Sequence, residues 1–522
     1  MNLLTRRIAP IALLLVSGTA MAQTIESPPP TLHLPDVVIY GRDILQMRRL
    51  KEMEAFHPIL PDLMDSPFRN RKESITRSYP KEPFRKGMRD TREWILIAKG
   101  GYGTFQTKSL DLYHGLNLRH FHWLLSEEGI WRDSYNGIPN TEEKGYDLKV
   151  KGGFRPDERL NGFFEASSME KKFGYYGSTD SLSRGTFSSL GGGGGAEGGW
   201  REGKTLKIHG MMKKISLERE GVRKMERNEG EFFTEISTPL DPHILTFRSG
   251  YSFHDPKPDL FSLQGKIVLS LPFKTTGHLG LGYYNFEKGD EREVRIYPSL
   301  SITYPLQNLS LFLSYDPKVF FRGSESLFGE NPFTGSLLSR VWDIQNDLSL
   351  GLTGRIHPVQ GKVFIGIEKR KNMPVWKNSN GLFYLDEVAK VSVRKGMISL
   401  EWNLLENLSL PTSFSFEEFE DDGNLFDPFP YQSKIKSEIG IRYNPWKGTK
   451  TELDLSYFGK RWTENEEEIK PYTLMSLGLS QELVSHLALW GRAGNLLDTS
   501  YEIWKGYTMP GISFSSGLEF KW

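Results

Sequence analysis

The sequence predicts an all-β fold, a large antiparallel transmembrane β-barrel of about 22 strands with a short, mostly irregular N-terminal segment. Three observations predict it. The closing residues put Ile512, Phe514, Leu518, Phe520 and Trp522 on one parity and Ser513, Ser515, Gly517, Glu519 and Lys521 on the other. Successive strand side chains point to opposite faces, so one face of this strand is apolar and the other polar. The opening residues read as an export signal. From Glu93 to Trp522 the chain repeats one unit, a short alternating stretch followed by a turn or a polar loop.

Residues Met1 to Ala22 are the predicted signal peptide: Arg6 and Arg7 form the positive start, Ile8 to Val16 the apolar centre, and Ala20-Met21-Ala22 the small-residue cleavage site. The apolar run is too short for a membrane-spanning helix. Gln23 follows the cut, so the mature terminus has no cysteine to carry lipid. The expected destination is the cell outer membrane.

Composition fits that destination. The 522 residues include 52 glycines, 12% aromatics and no cysteine. A barrel satisfies every strand edge internally and needs no disulfide. Without thiols there is no thiolate metal site, haem attachment or cysteine nucleophile. The net charge of +1 carries no signature of a nucleic-acid partner. Outer-membrane lipid and lipopolysaccharide are the expected surroundings.

The repeating unit is clearest in Thr451, Leu453, Leu455 and Tyr457, which alternate with Lys450, Glu452, Asp454 and Ser456. Ile439, Ile441 and Tyr443 repeat it, as do Leu309, Leu311, Leu313 and Tyr315. So do Val294, Ile296, Leu300 and Ile302, and then Leu348, Leu350 and Leu352. Period-two stretches separated by turns mark a transmembrane barrel. Aromatics near the stretch ends, Tyr304, Tyr315, Tyr443, Tyr457 and Trp462, suit interfacial girdles. The polar parity carries full charges in strand after strand. A packed sandwich core would have to pair each one, whereas a wet lumen accepts them.

Gly323 to Ser336, Glu418 to Gln432, Thr463 to Pro471 and Leu497 to Met509 are expected as outer loops. The glycine run Gly191 to Gly199 reads either as a bent, crowded strand or as a loop.

The end of the chain resembles the barrel of the TonB-dependent outer-membrane receptors. The matching residues are Gly494-Asn495-Leu496-Leu497-Asp498, Tyr501-Glu502, Gly506-Tyr507 and Pro510-Gly511, leading into the last strand. Leu518, Phe520 and Trp522 stand where the barrel-assembly machinery would read its C-terminal signal. Leu34 to Arg42 is similar to the segment that precedes the plug in that family. The resemblance implies that Asp36, Val37, Val38, Ile39 and Tyr40 pair with TonB as an added strand, the β-branched run after Pro28 to Pro30 being suited to strand addition. A signal-proximal linker with a few valines is the plain alternative.

The sequence departs from the family between Arg42 and the first strand. The family has a globular plug there. This chain has a predicted short helix, Asp43 to Phe56, and then a proline- and arginine-rich stretch from Pro58 to Arg92. Residues 23–92 are therefore read as a periplasmic or lumenal segment and 93–522 as the barrel, with the usual plug missing. The basic run Arg69 to Arg89 has three readings: a constriction inside an acidic lumen, a periplasmic arm near anionic lipid, or a linker.

Two motifs mislead. Gly198 to Thr205 has P-loop spacing, but that chemistry needs a following helix, and the residues after it alternate as a strand. His120 and His122 share one strand face with no third ligand in reach. No G-x-S-x-G elbow is present, so no catalytic residue, metal site or cofactor is assigned and an enzyme is not expected. Two functions stand: passage of a solute or polymer across the outer membrane, and a non-transporting barrel that anchors periplasmic or surface partners.

Overall fold

The computed structural model describes residues 93–522 except 119, 135–137, 139, 157–158, 178–183, 200–202, 221, 256–258, 289–290, 336–341 and 424–425. The signal peptide, the segment 23–92, its TonB-box-like stretch and the predicted helix Asp43 to Phe56 lie outside the described residues.

The wall begins with β1 (Glu93–Gly103), β2 (Lys108–Asn117), β3 (Phe121–Arg132), β4 (Glu143–Phe154), β5 (Leu160–Gly174) and β6 (Arg184–Gly199). It continues through β7 (Thr205–Arg219), β8 (Val222–Leu240), β9 (His243–Asp255), β10 (Leu260–Ser270), β11 (Thr276–Lys288) and β12 (Glu291–Leu306). Next come β13 (Leu309–Phe321), β14 (Trp342–Ile356), β15 (Val359–Ser379), β16 (Leu382–Leu405), β17 (Leu408–Asp421), β18 (Ile435–Tyr443) and β19 (Thr449–Phe458). Between β13 and β14 sits the helix α1 (Ser324–Glu330), and beyond β19 a two-stranded hairpin, β20 (Arg461–Trp462) with β21 (Glu468–Ile469). The wall ends with β22 (Tyr472–Val484), β23 (Leu487–Gly494) and β26 (Ser513–Lys521), the last two separated by a second small hairpin, β24 (Glu502–Trp504) with β25 (Tyr507–Thr508).

The wall is one sheet of 22 strands. It closes where β1 pairs antiparallel with β26, from Ile97↔Lys521 to Gly103↔Ser515. The closing strand has the polarity expected of it. Phe514, Leu518, Phe520 and Trp522 face out at 45, 50, 36 and 57% exposure, and Lys521 and Glu519 face the lumen, Glu519 standing opposite Lys99 of β1 in the ladder. The same outward parity carries Leu348, Leu350 and Leu352, Ile439 and Ile441, and Leu455 and Tyr457, all exposed. An apolar outer belt over a polar interior is the reverse of a soluble protein and is the surface a bilayer requires. Tyr304, Tyr443 and Tyr457 stand on that outward parity. Trp462 does not: it lies in the β20–β21 hairpin of a loop, outside the wall and its girdle.

The glycine run is strand. Gly191 to Gly199 completes β6 and pairs with both β5 and β7. The backbones are crowded there: a Cβ on Gly195 would meet the Ile208 carbonyl oxygen at 2.0 Å. Gly199 pairs with Thr205 across the next turn, so the P-loop-like motif is a hairpin. His122 lies on β3 and His120 in the bend before it, while His114 shares the outward face with Trp123.

One ladder stops early. The β11–β12 and β13–β14 ladders hold thirteen pairs each, but β12 and β13 pair only from Leu306↔Leu309 to Leu300↔Tyr315, seven pairs. Both strands run on beyond the break. Pairing two places further would set Pro298 against Pro317, and neither can donate a hydrogen bond.

Candidate functional site

The candidate site is the mouth of the barrel at the rim away from the chain terminus. The strand-connecting loops there are rich in aromatic residues, and they fold inward. Tyr175 follows β5, Leu327 and Phe328 lie on α1, Phe333 follows it, and Tyr431 lies between β17 and β18. Ile469 comes from β21, and Tyr501, Ile503, Trp504, Tyr507 and Met509 from the last loop. With Trp376, Leu382 and Phe383 at the β15–β16 tip they form one buried cluster. Burying large aromatic side chains is the main favourable term available to loops that lack a regular ladder.

This cluster bridges the opening. The β5–β6 and β15–β16 hairpins stand nearly opposite, with eight wall strands between them one way and ten the other. The Tyr175 hydroxyl donates to the Thr334 carbonyl at 3.0 Å, and the Tyr176 hydroxyl to Thr508 at 3.2 Å. Tyr507 is fully buried. Its hydroxyl donates to the Gly381 carbonyl at 2.6 Å, and its ring meets Tyr176, Phe333 and Phe383. Phe328 stacks on Phe187 of β6 at 3.9 Å. Loops from around the rim thus meet over the lumen.

Polar ties fix this lid to the wall. Glu229 of β8 accepts from the Ser324 backbone amide and hydroxyl at 2.8 and 2.6 Å, at the start of α1. Lys213 of β7 donates to Glu325 at 2.6 Å. At the far end of α1, Glu330 accepts from Arg322 at 3.1 Å and from the Trp376 indole at 2.9 Å. Arg322 also reaches Asp343 of β14, which is fully buried and pairs with Arg370 of β15. Lys395 of β16 bridges Asp347 and Glu368, both at 3.0 Å. Buried charges persist only where each is paired, and this chain of ions runs from the lid down into the wall. Arg461 of β20 ties the last loop by donating to the carbonyls of Ile503 and Glu502 at 2.8 and 2.6 Å.

Burial raises the Tyr175 and Tyr507 phenols above the ordinary range. It raises Tyr431 as well, with help from the neighbouring Glu464. The lid is built for neutral hydroxyls.

The expected outer loops are largely these lid segments, with corrections. Glu418 to Asp421 continue β17, Gly323 to Ser336 contain α1, and the other two segments carry the small hairpins. Leu518 and Phe520 lie on β26 with Trp522 just beyond it, all facing out. Asp36 to Tyr40 lie outside the described residues. The sequence does not single out the lid aromatics as site residues; the density of Phe and Tyr in otherwise irregular segments is the signal for them. Among the described residues no group of His, Asp and Glu is placed to hold a metal.

The siderophore receptor PirA from Acinetobacter baumannii matches over 84% of this chain and 81% of its own, with a TM-score of 0.67 and 12% identity. The ferric enterobactin receptor PfeA from Pseudomonas aeruginosa, in a mutant form, matches over 84% and 81% at a TM-score of 0.64 and 13% identity. The fold is that of a TonB-dependent receptor barrel. The copper transporter OprC matches equally far, over 84% of this chain and 82% of its own, with a TM-score of 0.64 and 11% identity. No protein-family model and no curated protein sequence matches the chain, so the likeness rests on backbone architecture. The exposed apolar belt described above is the surface that a bilayer requires.

Proposed function

We propose that this receptor-type barrel passes a solute across the outer membrane, with TonB engaging Asp36 to Tyr40 from the periplasm. The observation that supports it most is the mouth: a wide, charge-lined lumen is bridged by interlocked loops. A passive pore has no use for such a lid, and a simple anchor has no use for a polar lumen beneath it. Between Arg42 and the wall only the stretch Asp43 to Arg92 stands in place of a plug. In this reading the N-terminal segment is the gate on which TonB pulls, and entry requires the loops of the lid to part.

Capture on the immobilised periplasmic domain of TonB tests the coupling. The mature protein is expected to be retained, and a Val38→Pro variant, which cannot complete an added strand, to pass through. Equal retention of the two, or retention of neither, would remove TonB from the account and leave a lid-gated barrel without that drive.

A further inference from the structure

The early stop of the β12–β13 ladder leaves a seam in the wall. Beyond Leu300↔Tyr315, β12 continues upward through Ser299 to Glu291 with β11 as its strand neighbour. That is nine residues, a length of about 30 Å. β13 continues through Asp316 to Phe321, paired with β14. The two strands separate, and the upper β13–β14 hairpin leans into the lumen. Its side chains show this. Val319 and Ile344 share the outward parity of Leu311, Leu313, Leu348 and Leu350, yet they are 5 and 1% exposed. They pack with Leu260, Tyr284 and Phe286, which lie on the inward parity of β10 and β11. An outward side chain can touch an inward one only where one sheet edge overlaps the other from inside. The wall here is a lapped joint rather than a continuous sheet.

The packed centre of the joint is aliphatic and aromatic, with the Glu293–Arg295 ion pair above it on β12, and its outer lip is Val294 and Ile296 on β12, 49 and 61% exposed. That lip continues the apolar belt formed lower down by Leu311, Leu313 and Leu348. Among the described residues no strand but β11 pairs with β12 above Leu300, and the other edge presents backbone N–H and C=O groups, which are costly to leave bare beside hydrocarbon. The joint is therefore a packed apolar seam that runs into the membrane-facing belt, with polar backbone along one margin. The geometry points to a lateral portal between β12 and β13 that admits the acyl chain of an outer-leaflet amphiphile, its polar head meeting the open β12 edge. The opposed positions of Pro298 and Pro317 are the device that keeps the portal from zipping shut. This inference holds whether or not TonB drives the protein.

The natural chain has no cysteine, so a single introduced thiol reports its own surroundings. Val319→Cys, with Ile344→Cys as a second position in case the first misfolds, is reconstituted in phosphatidylethanolamine vesicles. The vesicles contain a phospholipid bearing a maleimide at the end of one acyl chain. Leu350→Cys on the open belt is the positive control and Phe187→Cys, under the lid, the negative one. Because the joint cysteine is buried in the closed seam, only parting of the portal gives acyl chains access to it, and it should then form a lipid adduct within about tenfold of the Leu350→Cys rate, since reaction follows access. Adding Pro298→Val and Pro317→Val, which let the ladder continue, should slow that adduct by at least about tenfold and leave Leu350→Cys unchanged. Labelling of Leu350→Cys alone would overturn the portal. So would labelling of Val319→Cys that ignores the proline replacements, or reaction only with a water-soluble maleimide. Protection of the joint by a co-purifying protein strand in native membranes would instead make the β12 edge a docking site and sink the lipid route.

Discussion

The ring of Tyr507 lies on that of Phe333 with centroids 3.6 Å apart and planes 23° apart. One side chain comes from the last loop and the other from the loop after α1, so the contact joins two rims of the mouth. Both are almost wholly buried, at 0 and 3% exposure, over a lumen that is otherwise polar. This stack is where the lid is most concentrated.

Replacing Tyr507 with alanine should therefore loosen the lid, at a cost of about 3–5 kcal/mol for a buried aromatic. Tyr507→Phe keeps the stack and loses only the hydrogen bond to Gly381, a cost of about 1 kcal/mol. A lumenal reporter, Ser413→Cys, labelled in whole cells with a membrane-impermeant thiol reagent, separates the two. Labelling should rise sharply with Tyr507→Ala and little with Tyr507→Phe.

The ion chain beneath α1 makes a second prediction. Asp343→Asn leaves Arg370 and Arg322 short of a buried counter-charge, which should destabilise by about 3–5 kcal/mol. Asp386→Asn removes the exposed partner of Lys377 and should change little, by less than about 1 kcal/mol. Thermal unfolding in detergent, followed by the loss of the heat-modifiable band shift, compares them. Equal effects would mean that the network is not holding the lid.

Much of the wall was legible in the sequence because a barrel strand obeys a local rule. Ile439, Leu455 and Phe514 face out because a period of two places them there, whatever lies elsewhere. Even the closing strand could be read residue by residue. The lid was not legible for the opposite reason. Tyr175, Phe333, Phe383 and Tyr507 are distant in the chain and meet only because the closed wall brings their loops to one rim. The lapped joint needed the ladder register: Pro298 and Pro317 are ordinary prolines until the pairing of Leu300 with Tyr315 sets them opposite each other.

The buried phenols predict a response to alkaline pH. Burial raises the folded-state pKa of Tyr507 and Tyr175. Their contribution is therefore complete below the unfolded value of about 10 and is lost as pH rises beyond it. Labelling of the Ser413→Cys reporter, divided by that of an exposed control cysteine because the thiolate fraction itself rises around pH 8.5, should be flat from neutral pH to about 10 and increase above that. Tyr507→Phe in combination with Tyr175→Phe should blunt the increase. Opening that begins near neutral pH would assign the response to another group.

Closure of the wall should depend on Gly517. A Cβ there would meet the Gly100 carbonyl oxygen at 1.8 Å, a backbone atom that cannot turn aside, whereas a Cβ on Gly100 itself meets nothing within 4 Å. Gly517→Val should block assembly of the folded, heat-modifiable barrel, and Gly100→Ala should assemble normally. We propose separately that Leu518, Phe520 and Trp522 are read by the assembly machinery. Phe520→Ser should slow insertion in cells while leaving detergent refolding of the purified chain nearly unchanged.

The most direct test of the lid-gated lumen is single-channel conductance in planar bilayers. Four proteins are compared: the mature chain, a version lacking Gln23 to Arg89, the mature Tyr507→Ala variant, and the deletion combined with Tyr507→Ala. The account predicts a closed or nearly closed mature protein and large, stable conductance only when deletion and lid variant are combined. Large conductance from the unmodified mature protein, or none from the combined variant shown to be folded and inserted, would contradict it.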